Sequence, residues 1–117
     1  GAFPLIAYGP AKAAIDQLTA VLASDLGPKG VRVNAVRPGY VLTEQMQSRI
    51  DSGFRNPQKM YDQSALGRMV KPGEIADGIH FLCSDAARAI TGVVLPIDAG
   101  WFSTVIYKQY PGWPSSV

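Results

Sequence analysis

Tyr8 and Lys12 are the two side chains in this sequence whose types and spacing suggest acid–base chemistry. They lie four residues apart, and in a helix this spacing places two side chains on one face. A phenol titrates at about pH 10, but a cation held beside it favours the phenolate and brings its pKa towards neutral pH. Such a pair could move a proton to or from a substrate oxygen. The spacing alone is not diagnostic, because it also occurs in helices without catalytic function.

The remaining reactive side chains offer no second kind of chemistry. Cys83 is the single cysteine and His80 the single histidine, so the sequence predicts no disulfide and no metal site. Cys83 lies in an apolar stretch and is expected to be a buried thiol, and His80 is expected to be structural or exposed. Ser24 and Ser48 have no base nearby in the sequence, which leaves nucleophilic catalysis without support.

Composition limits the classes of protein to which the chain can belong. It has 117 residues, of which 47% are hydrophobic and 17% charged, a balance typical of one soluble globular domain. The net charge is only +2 and the basic residues are scattered, so no nucleic-acid partner is expected. No apolar run approaches the roughly 20 residues that a membrane span needs, and no signal peptide opens the chain. We therefore expect a cytoplasmic protein without membrane contact.

A helix and a strand follow the Tyr8–Lys12 pair. Residues 10–26 are predicted to form the helix, with Pro10 at its first position and Gly27-Pro28 after its end. Its apolar positions recur at spacings of three and four: Ile15, Leu18, Leu22 and Leu26. Residues 31–36 are β-branched and alternating, which predicts a strand that ends at residues 37–39.

The second half of the sequence contains a further helix and strand. Residues 43–68 are polar with a helical pattern that breaks at Asn56-Pro57, and residues 72–84 predict a clear helix. Residues 93–97 predict a short strand, with Pro96 favouring a sheet edge. Two strands separated by mostly helical sequence are expected to be parallel neighbours, but a parallel sheet normally contains more strands. The chain also begins at Gly1 without a methionine, so we expect it to be part of a larger α/β domain.

The order of motifs from Tyr8 onward resembles the short-chain dehydrogenase/reductase family. The matching series is Tyr8-x-x-x-Lys12, a helix, Gly30-Val31-Arg32-Val33-Asn34-Ala35-Val36-Arg37-Pro38-Gly39, Val41 and Thr43, then Leu66-Gly67-Arg68, Pro72, Glu74-Ile75-Ala76 and Thr91-Gly92-x-x-Leu95-x-Ile97-Asp98-x-Gly100. The resemblance covers residues 4–100. It implies the C-terminal half of a Rossmann-like doubly wound parallel sheet: helix, strand, helical lid, helix, strand and an aromatic tail.

The resemblance implies an activity and a role for the first pair. The protein would be an NAD- or NADP-dependent oxidoreductase that interconverts a secondary alcohol and a ketone or aldehyde. Tyr8 would be the general acid/base, and Lys12 would lower the pKa of the phenol and hydrogen-bond the nicotinamide ribose. Residues 1–117 would form the C-terminal portion of a single dehydrogenase domain, and the assembly would be a homodimer or homotetramer.

The resemblance also assigns roles to the turn that follows the first strand. Pro38 and Gly39 would wall the nicotinamide, since a rigid residue followed by one without a Cβ permits close approach to the backbone. The Val41 backbone and the Thr43 hydroxyl would meet the carboxamide. Residues 44–68 would form a substrate lid over a small alcohol or carbonyl compound, and residues 101–117 the C-terminal tail.

Two parts of the family pattern do not occur in this sequence. No Gly-x-x-x-Gly-x-Gly or Gly-x-Gly-x-x-Gly motif is present to hold a pyrophosphate, and no serine precedes Tyr8. We therefore expect the 117-residue chain alone to be inactive. The alternative interpretation is a catalytically incompetent fragment or pseudoenzyme that acts only as a self-associating interaction module.

Overall fold

The computed structural model describes the backbone of residues 3–107 and the side chains of residues 9–105. Within residues 3–107, five helices and two strands follow one another: α1 (Phe3–Leu26), β1 (Ala35–Pro38), α2 (Glu44–Asp51), α3 (Pro57–Asp62), α4 (Pro72–Cys83), β2 (Val94–Ile97) and α5 (Trp101–Tyr107). Two short 3₁₀ turns, Gly27–Lys29 and Asp85–Ala87, follow α1 and α4. The predicted α/β class is confirmed.

The two strands are hydrogen-bonded neighbours in a two-stranded sheet. The Ala35 amide donates to the Val93 carbonyl at 2.9 Å, and the Gly39 amide donates to the Ile97 carbonyl at 3.3 Å. Because the residue numbers on both strands rise together, the pairing is parallel, and the connection between them contains α2, α3 and α4. The predicted parallel arrangement is therefore confirmed.

The chain divides into two compact units, each of which contains two separate stretches of sequence. The first unit consists of Gly1–Val36 and His80–Leu95, and the second of Arg37–Ile79 and Pro96–Val117. Among the described residues, Thr19, Ala23, Leu82 and Ala87 are the buried positions of the first unit. Those of the second unit are Met60, Ser64, Met69, Val70 and Thr104.

Helix α1 of the first unit is longer than predicted, and its fully buried side chains among residues 9–26 are small. It begins at Phe3, so Pro10 stands inside the helix rather than at its start. Among residues 9–26 of this helix, Thr19 and Ala23 are buried, whereas Leu18 is 54% exposed. Small residues allow close packing: a Cβ built on Gly92 would lie 3.4 Å from the Ala23 Cβ. Of the four predicted apolar positions, Ile15 and Leu18 are exposed, whereas Leu22 and Leu26 are half-buried.

The first strand begins later than predicted, at Ala35 rather than residue 31. The residues before it are held by side-chain hydrogen bonds instead of a regular ladder. Arg32 donates to the carbonyls of Ile90 and Ser84, at 3.1 and 3.3 Å. Asn34 donates from Nδ2 to the Ile90 carbonyl at 2.9 Å and accepts from the Val93 amide at 3.1 Å.

The polar stretch of the second unit is helical, as predicted. Asn56 caps α3 by accepting from the Gln58 amide at 3.0 Å, and Pro57 is the first residue of that helix. The Asn-Pro pair therefore starts α3, whereas α2 has already ended at Asp51, before the predicted break. Phe54 lies in the intervening turn, outside both helices, and is 73% exposed.

Helix α4 spans Pro72–Cys83, close to the predicted 72–84, but its final residue is exposed. Leu82 is buried, whereas Cys83 lies in solvent. Adjacent helical residues are separated by about 100° around the axis, so the burial of Leu82 turns Cys83 away from the packed side. The predicted buried thiol is wrong.

The aromatic tail begins with a helix that the sequence analysis did not predict. Asp98 caps α5, since its carboxylate accepts from the amides of Gly100 at 2.9 Å and Phe102 at 3.0 Å. The predicted tail continues through residues 108–117, which lie outside the described part of the chain. None of the helices in residues 3–107 is long and apolar enough to cross a membrane.

Candidate functional site

Helix α1 carries both members of the Tyr8–Lys12 pair. The two positions lie one helical turn apart on a continuous helix, as their spacing predicts. Lys12 is exposed, and the side chain of Tyr8 lies outside the described side chains. Both residues belong to the first unit, whereas Pro38, Gly39, Val41 and Thr43 belong to the second. The structure therefore brings the latter four together in one turn.

Gly39 packs against the loop that follows β2. A Cβ built on Gly39 would lie 2.8 Å from the Asp98 Cβ and 3.0 Å from its Cα. Such separations do not occur between real atoms, so any larger residue at position 39 would displace the turn. Gly39 therefore already has a structural reason for lacking a side chain, alongside the ligand approach that the resemblance implies.

The turn from Tyr40 to Leu42 pairs with a buried residue. Val70 donates its amide to the Tyr40 carbonyl and accepts from the Leu42 amide, both at 2.8 Å, which forms an isolated parallel bridge between Val41 and Val70. In this pattern the N–H and C=O of Val41 point to the opposite side. The Val41 carbonyl accepts from the Thr43 amide at 3.0 Å. No acceptor for the Val41 N–H stands among residues 3–107.

Thr43 caps the helix that leaves the turn. Its Oγ1 accepts from the Met46 amide at 3.1 Å, while its carbonyl accepts from the Gln47 amide at 2.9 Å. A hydroxyl can accept and donate at once, so the Thr43 proton is still available to an external acceptor. The Val41 amide and the Thr43 hydroxyl are thus two donors close together in the turn.

Arg68 and Glu74 form an ion pair and lie on either side of Val70 in the sequence, the residue that pairs with the turn at Val41. Arg68 donates from Nη2 to Glu74 Oε1 at 2.7 Å and from Nη1 to Oε2 at 2.8 Å, and the Lys71 amide also donates to Oε2 at 2.8 Å. Chiefly through hydrogen bonding, Arg68 lowers the pKa of the Glu74 carboxyl from 4.5 to about 2, and the Lys71 amide adds to this. The pair likewise raises the pKa of Arg68. Both residues belong to the family-like motifs of the sequence, but nothing in their spacing predicts a role for them.

The loop after β2 holds a residue in an unfavourable conformation. Ala99 has a φ of 52°, the one positive φ outside glycine among the described residues. Its carbonyl accepts from the Ser64 hydroxyl at 2.8 Å and from the Leu66 amide at 3.0 Å, and Ser64 is buried. These two bonds hold the carbonyl in place, so the strained conformation is maintained by its surroundings.

An aromatic pair packs beside the same turn. The rings of Tyr40 and Trp101 meet edge to face, with 6.2 Å between centroids, a geometry that aromatic pairs prefer. The Tyr40 hydroxyl donates to Gln63 Oε1 at 3.3 Å, whereas the buried Trp101 Nε1 has no hydrogen-bond partner among the described residues. No spacing rule joins residues 40 and 101, so the sequence analysis did not detect this contact.

Most of the chain matches a known family. A profile described as enoyl-(acyl carrier protein) reductase matches residues 3–102. The chain is 44% identical over 93 residues to the cyclohexanol dehydrogenase of Rhodococcus sp. (strain TK6), which covers 80% of this chain and 34% of that protein. It is 40% identical over 100 residues to the L-xylulose reductase of Bos taurus, with 83% and 39% covered.

The fold also matches solved structures. ElxO with NADP bound superposes with a TM-score of 0.79 at 37% identity, over 84% of this chain and 40% of that one. The chain belongs to the short-chain dehydrogenase/reductase family, and its α/β arrangement is part of a Rossmann-like fold. It spans well under half the length of the relatives it matches.

Proposed function

We propose that the natural protein containing this chain is an NAD- or NADP-dependent oxidoreductase that interconverts a secondary alcohol and a ketone or aldehyde. The observation that carries the proposal is the family match over residues 3–102, within which Tyr8 and Lys12 stand one turn apart on α1. Relatives named as dehydrogenases and reductases support it. The substrate is a small alcohol or carbonyl compound.

Tyr8 is the proposed proton donor and acceptor at the substrate oxygen. In the reducing direction its phenol gives a proton to the oxygen of the carbonyl, and in the oxidising direction its phenolate takes the hydroxyl proton. Lys12, four residues on, provides the positive charge that favours the phenolate and binds the nicotinamide ribose. When bound, the dinucleotide supplies or accepts the hydride.

The turn at residues 38–43 is the proposed contact for the nicotinamide end of the cofactor. Two features fit a carboxamide: the Val41 N–H has no acceptor among the described residues, and the Thr43 hydroxyl can still donate while it caps α2. The absent side chain of Gly39 lets the turn pack closely against Asp98, and Pro38 fixes the entry to the turn. We assign these four residues to cofactor binding.

Residues 44–68 are the proposed substrate lid. They form two short helices, α2 and α3, joined by a turn in which Gly53 has a φ of 78° and Phe54 is largely exposed. Short helices separated by a glycine turn can change position at low cost. An exposed phenylalanine at the tip would give such a lid an apolar contact with substrate.

A Tyr8→Phe variant tests the acid/base role. Removal of the hydroxyl takes away the transferable proton but keeps the ring, so kcat should fall at least a hundredfold, with cofactor affinity changed little. Tyr107→Phe makes the same chemical change at a second tyrosine and should leave kcat unaltered. Steady-state kinetics and cofactor titration of the intact protein measure both quantities. Retained turnover in the Tyr8 variant would refute the assignment.

The exposed side of α1 favours a second candidate function, self-association without catalysis. Ile15, Leu18 and Val21 are 47%, 54% and 51% exposed, and apolar side chains gathered on one helix often mark an interface. If this face joins two copies, Leu18→Glu should shift the protein towards monomer in sedimentation, whereas Ala20→Glu, at an exposed position on the other side of the same helix, should not. A self-associating protein that shows no dinucleotide-dependent turnover would favour this second candidate.

A further inference from the structure

The Arg68–Glu74 pair lies next to Val70 in the sequence, and the Val70 backbone pairs with the turn at residues 38–43, hereafter the cofactor-side turn. Arg68 is followed by Met69 and Val70, which are 4% and 3% exposed, and Val70 forms the bridge with Val41. The backbone conformation of Tyr40–Leu42 therefore depends on where Val70 lies. Any restraint on Val70 acts on the turn through two hydrogen bonds of 2.8 Å.

The ion pair provides a restraint of that kind. Arg68 donates hydrogen bonds from both terminal nitrogens to the Glu74 carboxylate. Its Nη1 also donates to the Met69 carbonyl at 3.0 Å. Glu74 in turn accepts from the Lys71 amide. The residues on both sides of the Met69-Val70 segment are thus tied to the first turn of α4. Two-pronged arginine–carboxylate contacts fix geometry as well as charge.

We propose that Arg68 and Glu74 are positioning residues that hold Val70, and through it the Val41 backbone and Thr43, in the conformation that receives the nicotinamide end of the cofactor. This inference rests on the proposed function. The pair touches neither substrate nor cofactor, and its effect passes through the Val70 pairing. Its loss should weaken cofactor binding more than it slows the chemical step.

A simpler role must be separated from this one. A glutamate in the first turn that accepts from the amide preceding the helix is an ordinary helix cap, and a cap alone would stabilise α4 without affecting residue 42. Glu74→Gln separates the two roles, since glutamine keeps an oxygen for the Lys71 amide but loses the charge that binds Arg68. Arg68→Met removes the guanidinium and leaves Glu74 free to cap.

The first experiment measures amide hydrogen exchange in the intact natural protein without cofactor. Leu42 and Val70 donate the two bonds of the bridge, and in Arg68→Met and in Glu74→Gln their exchange should accelerate about fivefold, the scale of one well-formed ion pair. Asp77→Asn, also an exposed carboxylate on α4, is the matched control and should change neither amide. Acceleration confined to the first turn of α4, with Leu42 unchanged, would overturn the inference.

The second experiment separates binding from chemistry. Both single variants should raise the KM for the dinucleotide at least threefold while kcat at saturation changes less than twofold. The double variant should have a KM no higher than that of either single variant, because both substitutions remove the same interaction. Arg68→Lys should restore the natural KM only in part, because lysine keeps the charge but cannot bind the carboxylate through two nitrogens. Equal KM values in the variants and the natural protein would contradict the proposed positioning.

The two proposals fail in different ways. If the natural protein binds no dinucleotide at all, the proposed function is wrong, and the positioning role falls with it. If the natural protein binds dinucleotide normally and the variants keep its exchange rates and its KM, only the positioning role is wrong. Unfolding midpoints measured beside the kinetics confirm that each variant is folded, as expected for side chains that are 45% and 36% exposed.

Discussion

Single residues in the loops of the second unit hold the backbone in conformations that constrain their neighbours. Gly39 is required by its contact with Asp98. A Cβ on Gly100 would likewise collide with Ala65, and Gly100 has a φ of 79°. Ala99 lies between these contacts with a positive φ of its own. The loop after β2 therefore has a shape determined by sterics and by the two bonds to the Ala99 carbonyl.

An Ala99→Gly variant should make the protein more stable. The left-handed conformation costs a residue with a Cβ roughly 1 to 2 kcal/mol, whereas glycine's greater freedom in the unfolded chain costs about 0.4 to 1 kcal/mol. The net gain should be about 0.5 to 1 kcal/mol in urea unfolding. Ala86→Gly is the control, because Ala86 has no positive φ and should lose stability by a comparable amount. A destabilised Ala99→Gly protein would contradict the strain argument.

Structural features that depend only on neighbouring residues could be predicted from the sequence, whereas contacts between distant residues could not. Asn56 and Pro57 predict a helix boundary because a cap and a fixed φ act within one turn. Asn34 is predicted to lie in the strand, but the strand begins at Ala35 and the Asn34 side chain bonds to residues more than 50 positions away. The Arg68–Glu74 pair is harder to foresee, because Arg68 precedes α4 and no helical spacing relates it to Glu74. Contacts such as Gly39 with Asp98 join residues far apart in sequence, and a single sequence contains no local sign of them.

Helix boundaries link the candidate site to the lid. Thr43 ends the cofactor-side turn and, by accepting from Met46, also begins α2. One hydroxyl therefore serves the structure of the lid and, in the proposed function, the cofactor. The two roles use different parts of the group, since the oxygen accepts from the helix while the proton is donated outward.

Variants of Thr43 should separate these roles. Thr43→Ala should lower the free energy of unfolding by about 1 kcal/mol through loss of the cap and should also raise the KM for cofactor. Thr43→Asp keeps a capping oxygen but has no proton to donate at neutral pH, so it should restore stability without restoring KM, and Thr43→Ser should preserve both. Chemical unfolding and steady-state kinetics provide the two readouts. An unchanged KM in Thr43→Asp would exclude the donor role.

The residues at which α1 and α4 end were predicted better than which of their side chains are buried. Helix α1 ends at Leu26 as expected because Gly27 and Pro28 stop it locally, and α4 occupies nearly the predicted range. Which side of α1 is buried depends on its packing partner, and the close approach at Ala23 selects small residues over large ones. The same limit explains why Cys83 is exposed rather than buried.

At the scale of the whole molecule, charge contributes to stability in a way that depends on pH. The pKa of Glu74 is lowered in the folded protein to about 2 by Arg68 and the Lys71 amide. A lowered carboxyl pKa means that the folded state binds its proton less readily than the unfolded state. The resulting stabilisation is fully present above pH 4.5 and is lost as the pH falls towards 2.

The difference in stability between the natural protein and Glu74→Gln should be largest above about pH 4.5 and should decrease as the pH falls towards 2. The natural protein should have the higher urea midpoint at pH 7, and the two midpoints should converge as the pH decreases from about 4.5 towards 2. Added salt should reduce the difference at neutral pH, because the pair is partly exposed. Asp77→Asn should show no such convergence. A difference that is independent of pH would mean that the ionised carboxylate is not the stabilising group.

The side chain of Asn34 has a consequence for how the chain folds. It bonds to Ile90 and Val93 across separations of 56 and 59 residues, so this contact forms only after a long loop has closed, at a substantial cost in chain entropy. Helices α1 and α4 need only local contacts and can form sooner. Since a slip of one residue would turn every strand side chain to the wrong face, one amide side chain favours the observed register of the two strands once that loop has closed.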